Sequence, residues 1–453
     1  MKNIKLKLIL LLGAIGLSVG LTPFILIACG TGISTTTTVS PSTSSTISPH
    51  TWIATHESLL QAVIARPSVG VPYTDPIFGA KVMRLTDAVS MAATVGDHCI
   101  VPDYSRRQAW NADESWLLLR GGDGSVLLFD GANYSFIRKL PDYIGGDDLF
   151  WHPTNKNLFY YIIENRFYSF NISNNENILI RTFSDYDFIG TPGEGNLSLD
   201  GKYCALVGRN YIAPDVIIKA LLVYDVGSNV VTSTMVYPST PESFDWVSIS
   251  PNGNYVVVDY ADETIGRYHG VEVYDKNLNF IRQEPLGAGH SDLGVDANGD
   301  EVLIMGVYNG ADKEVIKKIR LSDGAVTNLL DLTYLFDYHI SCRNQQRAGW
   351  CFISTFDYVA RLKDKADDLA LDWLPFEDEV FALKMNGSGT VERYAHHHSR
   401  RFSPLTPDAD NSIYFAEPHA TVSRQANRIL FGSNWRQNMA VENSVDTYII
   451  DLR

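Results

Sequence analysis

A motif that recurs seven times, with its last copy divided between the two ends of the chain, constrains this sequence more than any other feature. Each copy opens on a kernel of two apolar stretches joined by a tight polar turn. The kernels occupy residues 109–119, 151–160, 197–203, 247–255, 293–302, 340–353 and 420–431. Asp200-Gly201, Asn252-Gly253 and Asn298-Gly299 supply turns that tolerate φ > 0, which predicts a two-residue β-hairpin in these kernels. A short aliphatic stretch follows (127–130, 222–225, 273–275), then a fourth stretch carrying Arg138, Arg181 or Arg282. A matching stretch with Arg84 lies near the start, before any complete copy, whereas the chain ends on 448–452, a third stretch with no fourth. Residues 81–88 can supply it. Until the sixth copy the turns recur every 42 to 52 residues or so, the period of four-stranded propeller blades. One blade cannot bury both of its faces, so blades stack around a central channel. Sharing the last blade between the termini also removes an open sheet edge. The prediction is an all-β, seven-bladed propeller over residues 81–453, closed by strand 81–88.

Composition supports a β fold: aromatic and β-branched runs bounded by Gly, Asn, Asp and Pro dominate a chain that is 45% apolar. Helical spacing appears at Leu59, Leu60, Val63 and Ile64 behind Thr55, which predicts a short helix over 55–66 within a lead-in of residues 51–80. Residues 1–28 read as targeting. Lys2, Lys5 and Lys7 precede an apolar run, and Leu26-Ile27-Ala28-Cys29-Gly30 resembles the bacterial lipobox, with Cys29 as the lipidated residue. The alternative is an uncleaved transmembrane anchor, since the run is nearly long enough to span a bilayer. Residues 29–50, rich in Ser and Thr, form a tether. The expectation is a lipoprotein attached to a bacterial membrane, facing the periplasm or the cell exterior. A formal net charge of −15 argues against nucleic acid as a partner. Cys342 and Cys351 lie on the two arms of one hairpin and would be either a disulfide or two thiols; Cys204, in an apolar strand, reads as a buried thiol.

In a propeller the inner strand of each blade runs from the top face to the bottom, so the residues that start inner strands surround the upper channel mouth. Here these are polar: Gln108, Glu194, Asp245, His290, Asp292, His339, Glu417 and His419. His290, His339 and His419 come from consecutive blades, and with Glu417 they would suit one divalent metal such as Mn, Zn or Fe. The alternative is that each imidazole only bonds loop backbone. Gln108, Glu194, Asp245 and Asp292 are then candidates to bind a ligand. Long insertions at 356–378 and 399–416 fall on the same face. Between them, residues 393–401 form the most basic stretch of an acidic chain, with Arg400 a candidate for a basic rim facing an acidic ligand. The run Asp296-Ala297-Asn298-Gly299-Asp300-Glu301 reads as a hairpin turn rather than a calcium loop. No GxSxG, P-loop or GxGxxG pattern is present.

The kernels resemble the TolB-like, WD40-like repeats of bacterial periplasmic proteins, above all at Ser250-Pro251-Asn252-Gly253-Asn254-Tyr255. That resemblance implies the fold and leaves the activity open. The histidine pattern is similar to that of the oligogalacturonate-lyase propellers, seven-bladed enzymes that hold a metal with histidines on their later blades. Glu417-Pro418-His419-Ala420-Thr421-Val422-Ser423 is the segment most like theirs, with Glu417 where that family has a second His. The resemblance implies removal of the proton α to a uronate carboxylate, which needs that carboxylate neutralised and a base supplied. Arg343 and Arg347 are candidates for the first role, and His397 or His398 for the second. Two functions follow. One is a tethered module binding a carbohydrate or protein at its top face; the other is a metal-assisted uronate lyase using the same funnel.

Overall fold

The computed structural model describes residues 51–453 apart from 96–97, 147, 261–265, 285–287, 309–313, 333–335, 358–372, 401–413 and 436–443. The signal and tether expected at 1–50 lie outside the described residues, as do most of the two blade-six and blade-seven insertions. Seven antiparallel sheets form the blades of a propeller. Blade 1 runs Ile100–Val101, Trp116–Gly121, Val126–Asp130, Phe136–Lys139, from the channel outward. Blade 6 runs Phe336–Ser341, Trp350–Asp357, Glu379–Lys384, Val391–His396. The core is divided among the blade interfaces. Val302, Ile304, Ile340 and Ile353 join blades 5 and 6, for example, while Trp110, Leu117, Leu430 and Ile449 join blades 1 and 7. A strand of alternating side chains fills the wedge on each of its faces, which is why a ring of blades buries what a single blade cannot.

The split repeat closes as expected. Lys81–Arg84 pairs antiparallel with Asp446–Asp451, Lys81 opposite Asp451 and Arg84 opposite Tyr448. Asp446, fully buried, fastens this seam by accepting from Arg84 Nε (3.0 Å), Thr86 Oγ1 (3.0 Å), the Ala88 amide (2.8 Å) and the Arg66 guanidinium. A fifth strand, Pro72–Thr74, adds to the outer edge of this blade.

Three of the fourth-strand Arg residues have a shared task. Arg138 Nη2 reaches Asn175 Oδ1 of the next blade at 2.7 Å, Arg181 Nη1 the Asn229 carbonyl at 3.0 Å, and Arg282 the carbonyls of Arg320 and Leu321 at 2.8 Å. Each clasps the turn between the third and fourth strands of its neighbour. The kernel turns are longer than predicted. Ser198 and Ser250 pair with Tyr203 and Tyr255 across four-residue loops, in which only Gly201 (φ 73°) and Gly253 (φ 75°) are left-handed. The Ser hydroxyls, accepting from the Tyr amides at 2.9 Å, hold the wider loops.

The helix expected over 55–66 does not form. Ile53 pairs with Arg393, and the segment runs extended across blades 6 and 7. Its carbonyls find tertiary donors instead of helical ones: Thr55 (3.0 Å) and Glu57 (2.8 Å) accept from Arg393 Nη1, and Ile64 accepts from Trp435 Nε1 (3.0 Å). The periodic apolar residues share no face, since Ile64 packs on the blade 6–7 core while Val63 is 82% exposed. Cys342 and Cys351 are both buried free thiols, not a disulfide, and Cys204 is a buried thiol as read from its strand.

Candidate metal centre and funnel

Two inner strands are interrupted, and the interruptions build the site. In blade 1, Val101 pairs with Arg120 and Trp110 with Leu117, so residues 102–109 are extruded into the channel. In blade 3, Gly190 pairs with Val207 and Leu197 with Cys204, extruding 191–196. The first loop spans the channel: the Arg106 carbonyl accepts from Asn196 Nδ2 of blade 3 (2.9 Å) and the Arg107 carbonyl from Thr421 Oγ1 of blade 7 (2.7 Å). Arg107 pairs with Asp148 of blade 2 at 2.9 Å. Gly193, at φ 68°, permits the second loop: a Cβ there would lie 2.5 Å from the Asp245 carbonyl.

At the upper end of this plug His339, Glu417 and His419 converge. Their ligand atoms lie within 4.8 Å of one another, and all three residues are buried. Glu417 Oε2 stands 3.4 Å from His339 Nε2 and 3.5 Å from His419 Nε2. Bonds of about 2.1 Å to one ion put neighbouring donors roughly 3–3.5 Å apart, so both distances from Glu417 fit a shared cation. Two imidazoles and one carboxylate are donors suited to Mn, Zn or Fe. His419 sits at φ 41°, a left-handed conformation held where Pro418 leads into Thr421–Val422. Strain of this kind persists only where surroundings impose it.

His290 stacks on His339 with ring centroids 4.4 Å apart but stays outside the trio. Its Nδ1–H donates to the Tyr338 carbonyl at 2.7 Å, with Asp337 Oδ1 at 3.2 Å. Burial works against its protonation, but the hydrogen bond and charge of Asp337 outweigh that and raise its pKa. His290 lines a cavity of about 580 Å³ with Tyr104, Arg106, Gly193, Glu194, Asp245, Asp259, Gly289 and Tyr414. The rings of Tyr104 and Tyr414 lie 4.9 and 5.0 Å from that of His419, so side chains that line the cavity also border the trio.

Arg106 was not among the expected site residues. It is fully buried, donates to the carbonyls of Gly193 (2.6 Å) and Gly289, and lies 4.8 Å over the ring of Trp246. Burial disfavours its charge, yet Tyr104, Glu194, Asp245 and Asp292 hold the pKa up. Glu194 is shifted upward by burial, against the pull of Arg106 and Arg107. The signal for Arg106 was a polar run, Tyr104-Ser105-Arg106-Arg107-Gln108, standing where an inner strand should be apolar.

Of the sequence candidates, the structure gathers Glu194, Asp245 and His290 at the cavity and His339, Glu417 and His419 at the trio. The others lie elsewhere. Gln108 is inside the channel, donating to the carbonyls of Arg343 and Val422 at 3.2 Å. Asp292 accepts a bidentate pair from Arg343 (2.7 and 3.0 Å) and the Cys342 amide, so both charges are spent on each other. Arg347 pairs with Glu392 and covers Trp350, following an inner strand rather than preceding one. His397 is buried at the end of the fourth strand of blade 6, with Nε2 donating to the Thr355 carbonyl (2.8 Å) and Nδ1 accepting from the Ser399 amide. His398 bonds Gln61 and stacks on Trp435 at 4.2 Å. The backbone amide and carbonyl of Arg400 bond the side-chain amide of Asn434. The base role expected for His397 or His398 and the carboxylate-binding role expected for Arg343 or Arg347 have no geometric support, because tertiary contacts occupy all four away from the cavity.

No protein-family profile matches the chain, and no curated protein matches its sequence. Solved structures do match its fold. An oligogalacturonate lyase from Vibrio parahaemolyticus superposes with a TM-score of 0.57 at 13% identity, covering 84% of this chain and 96% of that one. An oligogalacturonate lyase in complex with manganese gives a TM-score of 0.58 at 15% identity, with the same coverage. At these identities the likeness is one of fold: the chain shares its seven-bladed architecture with oligogalacturonate-lyase propellers.

Proposed function

We propose that this chain is a divalent-metal-dependent lyase acting on a uronate-containing carbohydrate, tethered to a bacterial membrane through Cys29 and facing the periplasm or cell exterior. The observation that carries the reading is the convergence of His339, Glu417 and His419 behind a polar funnel. The fold likeness to a manganese-bound oligogalacturonate lyase supports it. His339, Glu417 and His419 would hold the ion. Bound there, Mn, Zn or Fe supplies a Lewis acid that neutralises a uronate carboxylate and so acidifies the proton α to it. Arg106 offers a fixed second positive charge at the cavity wall. With Nδ1–H engaged by a carbonyl, neutral His290 keeps its lone pair on Nε2, the atom available to take that proton. Elimination then forms a C=C bond as the glycosidic C–O bond at the β carbon breaks, the departing oxygen taking the bonding pair and a proton from water to leave as a hydroxyl. The rings of Tyr104 and Tyr414 can stack on sugar, while Glu194 and Asp245 accept from its hydroxyls.

The test is metal analysis of the purified protein together with the ultraviolet absorbance of an unsaturated uronate product. His419→Ala and Glu417→Gln are each expected to lose most of the bound metal and at least ~100-fold in rate. Full metal content in both variants rejects the ligand set. Three acidic side chains at the cavity, Glu194, Asp245 and Asp259, favour a second reading, in which the funnel binds a hydroxyl-rich ligand without cleaving it. Metal binding with no elimination product from any uronate oligosaccharide would select that reading.

A further inference from the structure

Beneath the plug, Arg424 follows the inner strand of blade 7 and ties three kernels together. Its carbonyl accepts from the amides of Gln345 (2.7 Å) and Gln346 (3.1 Å) of blade 6, and its Nε donates to the Asn111 carbonyl of blade 1 at 3.1 Å. The residue is 6% exposed. Among the described residues, its Nη1 and Nη2 hold no hydrogen bond, and no carboxylate comes within ion-pair distance. Glu114, the acid whose charge it feels most, is bound by the Arg428 guanidinium and by the Gln425 amide at 2.8 Å.

Arg424 also lines a small, partly open cavity of about 40 Å³, together with Arg107, Gln108, Trp151, Asn196 and Arg343. The charges of Arg107 and Arg343 are matched by Asp148 and Asp292. Arg424 therefore brings one uncompensated positive charge, facing space that no protein anion fills. Burial, with Arg343 adding repulsion and Glu114 opposing it, pushes its pKa down to about 10, so it remains a cation at neutral pH. A buried charge without a counter-charge is costly. So small a space favours a compact anion over a sugar acid.

We propose that Arg424 and this cavity bind one small monovalent anion of chloride size, at the end of the channel opposite the metal centre and independently of it. At constant ionic strength, with gluconate as the balancing anion, addition of chloride or bromide should raise the melting temperature saturably by about 2 °C or more. In Arg424→Met, whose side chain has similar length and no charge, the halide response should vanish while metal content stays unchanged. No saturable response in the wild type, or the same response in the variant, overturns the proposal. Should the variant fail to fold, crystals of the wild type soaked in bromide decide the matter. An anomalous peak beside Arg424 is expected, and an empty cavity sinks the site.

Discussion

His290 and His339 stack at 4.4 Å, yet only His339 faces Glu417. A hydrogen bond to the Tyr338 carbonyl turns His290 aside, and it stands before its inner strand whereas His339 lies within one, so the two take different work. Environment likewise alters Glu314. Burial raises its carboxyl to about 7, against a hydrogen bond from Tyr338 and with the charge of Asp337 adding to the rise. In the unfolded chain the group titrates near its ordinary value of 4.5. Between these values the folded state keeps a proton that the unfolded state has released. Stability is thus lost as pH rises through this window, by up to the order of 3 kcal/mol at neutral pH and above. Urea unfolding of Glu314→Gln should show that slope removed between pH 5 and 7, and an unchanged slope would refute the assignment. What was legible at this scale was residue type and register. The inner-strand starts were polar, and of the residues singled out there the structure places Glu194, Asp245 and His290 on one cavity and His339, Glu417 and His419 within 4.8 Å of one another. His397, His398, Arg343 and Arg347 were not separable from site residues by type, because their partners Thr355, Gln61, Asp292 and Glu392 are set by tertiary contact.

At the scale of elements, the strands announced themselves through turns and alternation, whereas 55–66 carried a helical pattern and became an extended strap. The strap joins two blades by Trp52 edge-on to Tyr394 (5.1 Å), Gln61 on His398 and Arg66 on Asp446. Deleting residues 51–66 should lower the melting temperature by about 5 °C or more while bound metal is retained, since the trio lies on other elements. Loss of metal in step with stability would show that the strap shapes the site. The extruded loop 102–109 is the other element that pattern did not reveal. Its residues replace strand pairing with bonds to blades 2, 3, 5 and 7.

For the whole molecule, ring closure rests on a seam between residues some 360 positions apart, with Asp446 at its centre. Asp446→Asn leaves Arg84 and Arg66 without their buried carboxylate and should cost about 3–5 kcal/mol, measured as a drop in the denaturation midpoint. A change under ~1 kcal/mol would mean that strand pairing alone holds the ring. The period of the repeats, the hairpin kernels and the sharing of blade 7 were decided by sequence alone. Alternation, turn residues and repeat length are local properties that survive in any context. Only the tertiary structure decided what fills the channel, which histidines meet Glu417, where the strap runs and why Arg424 has no counter-charge. Each depends on groups brought together across blades, and no local pattern encodes the distance between them.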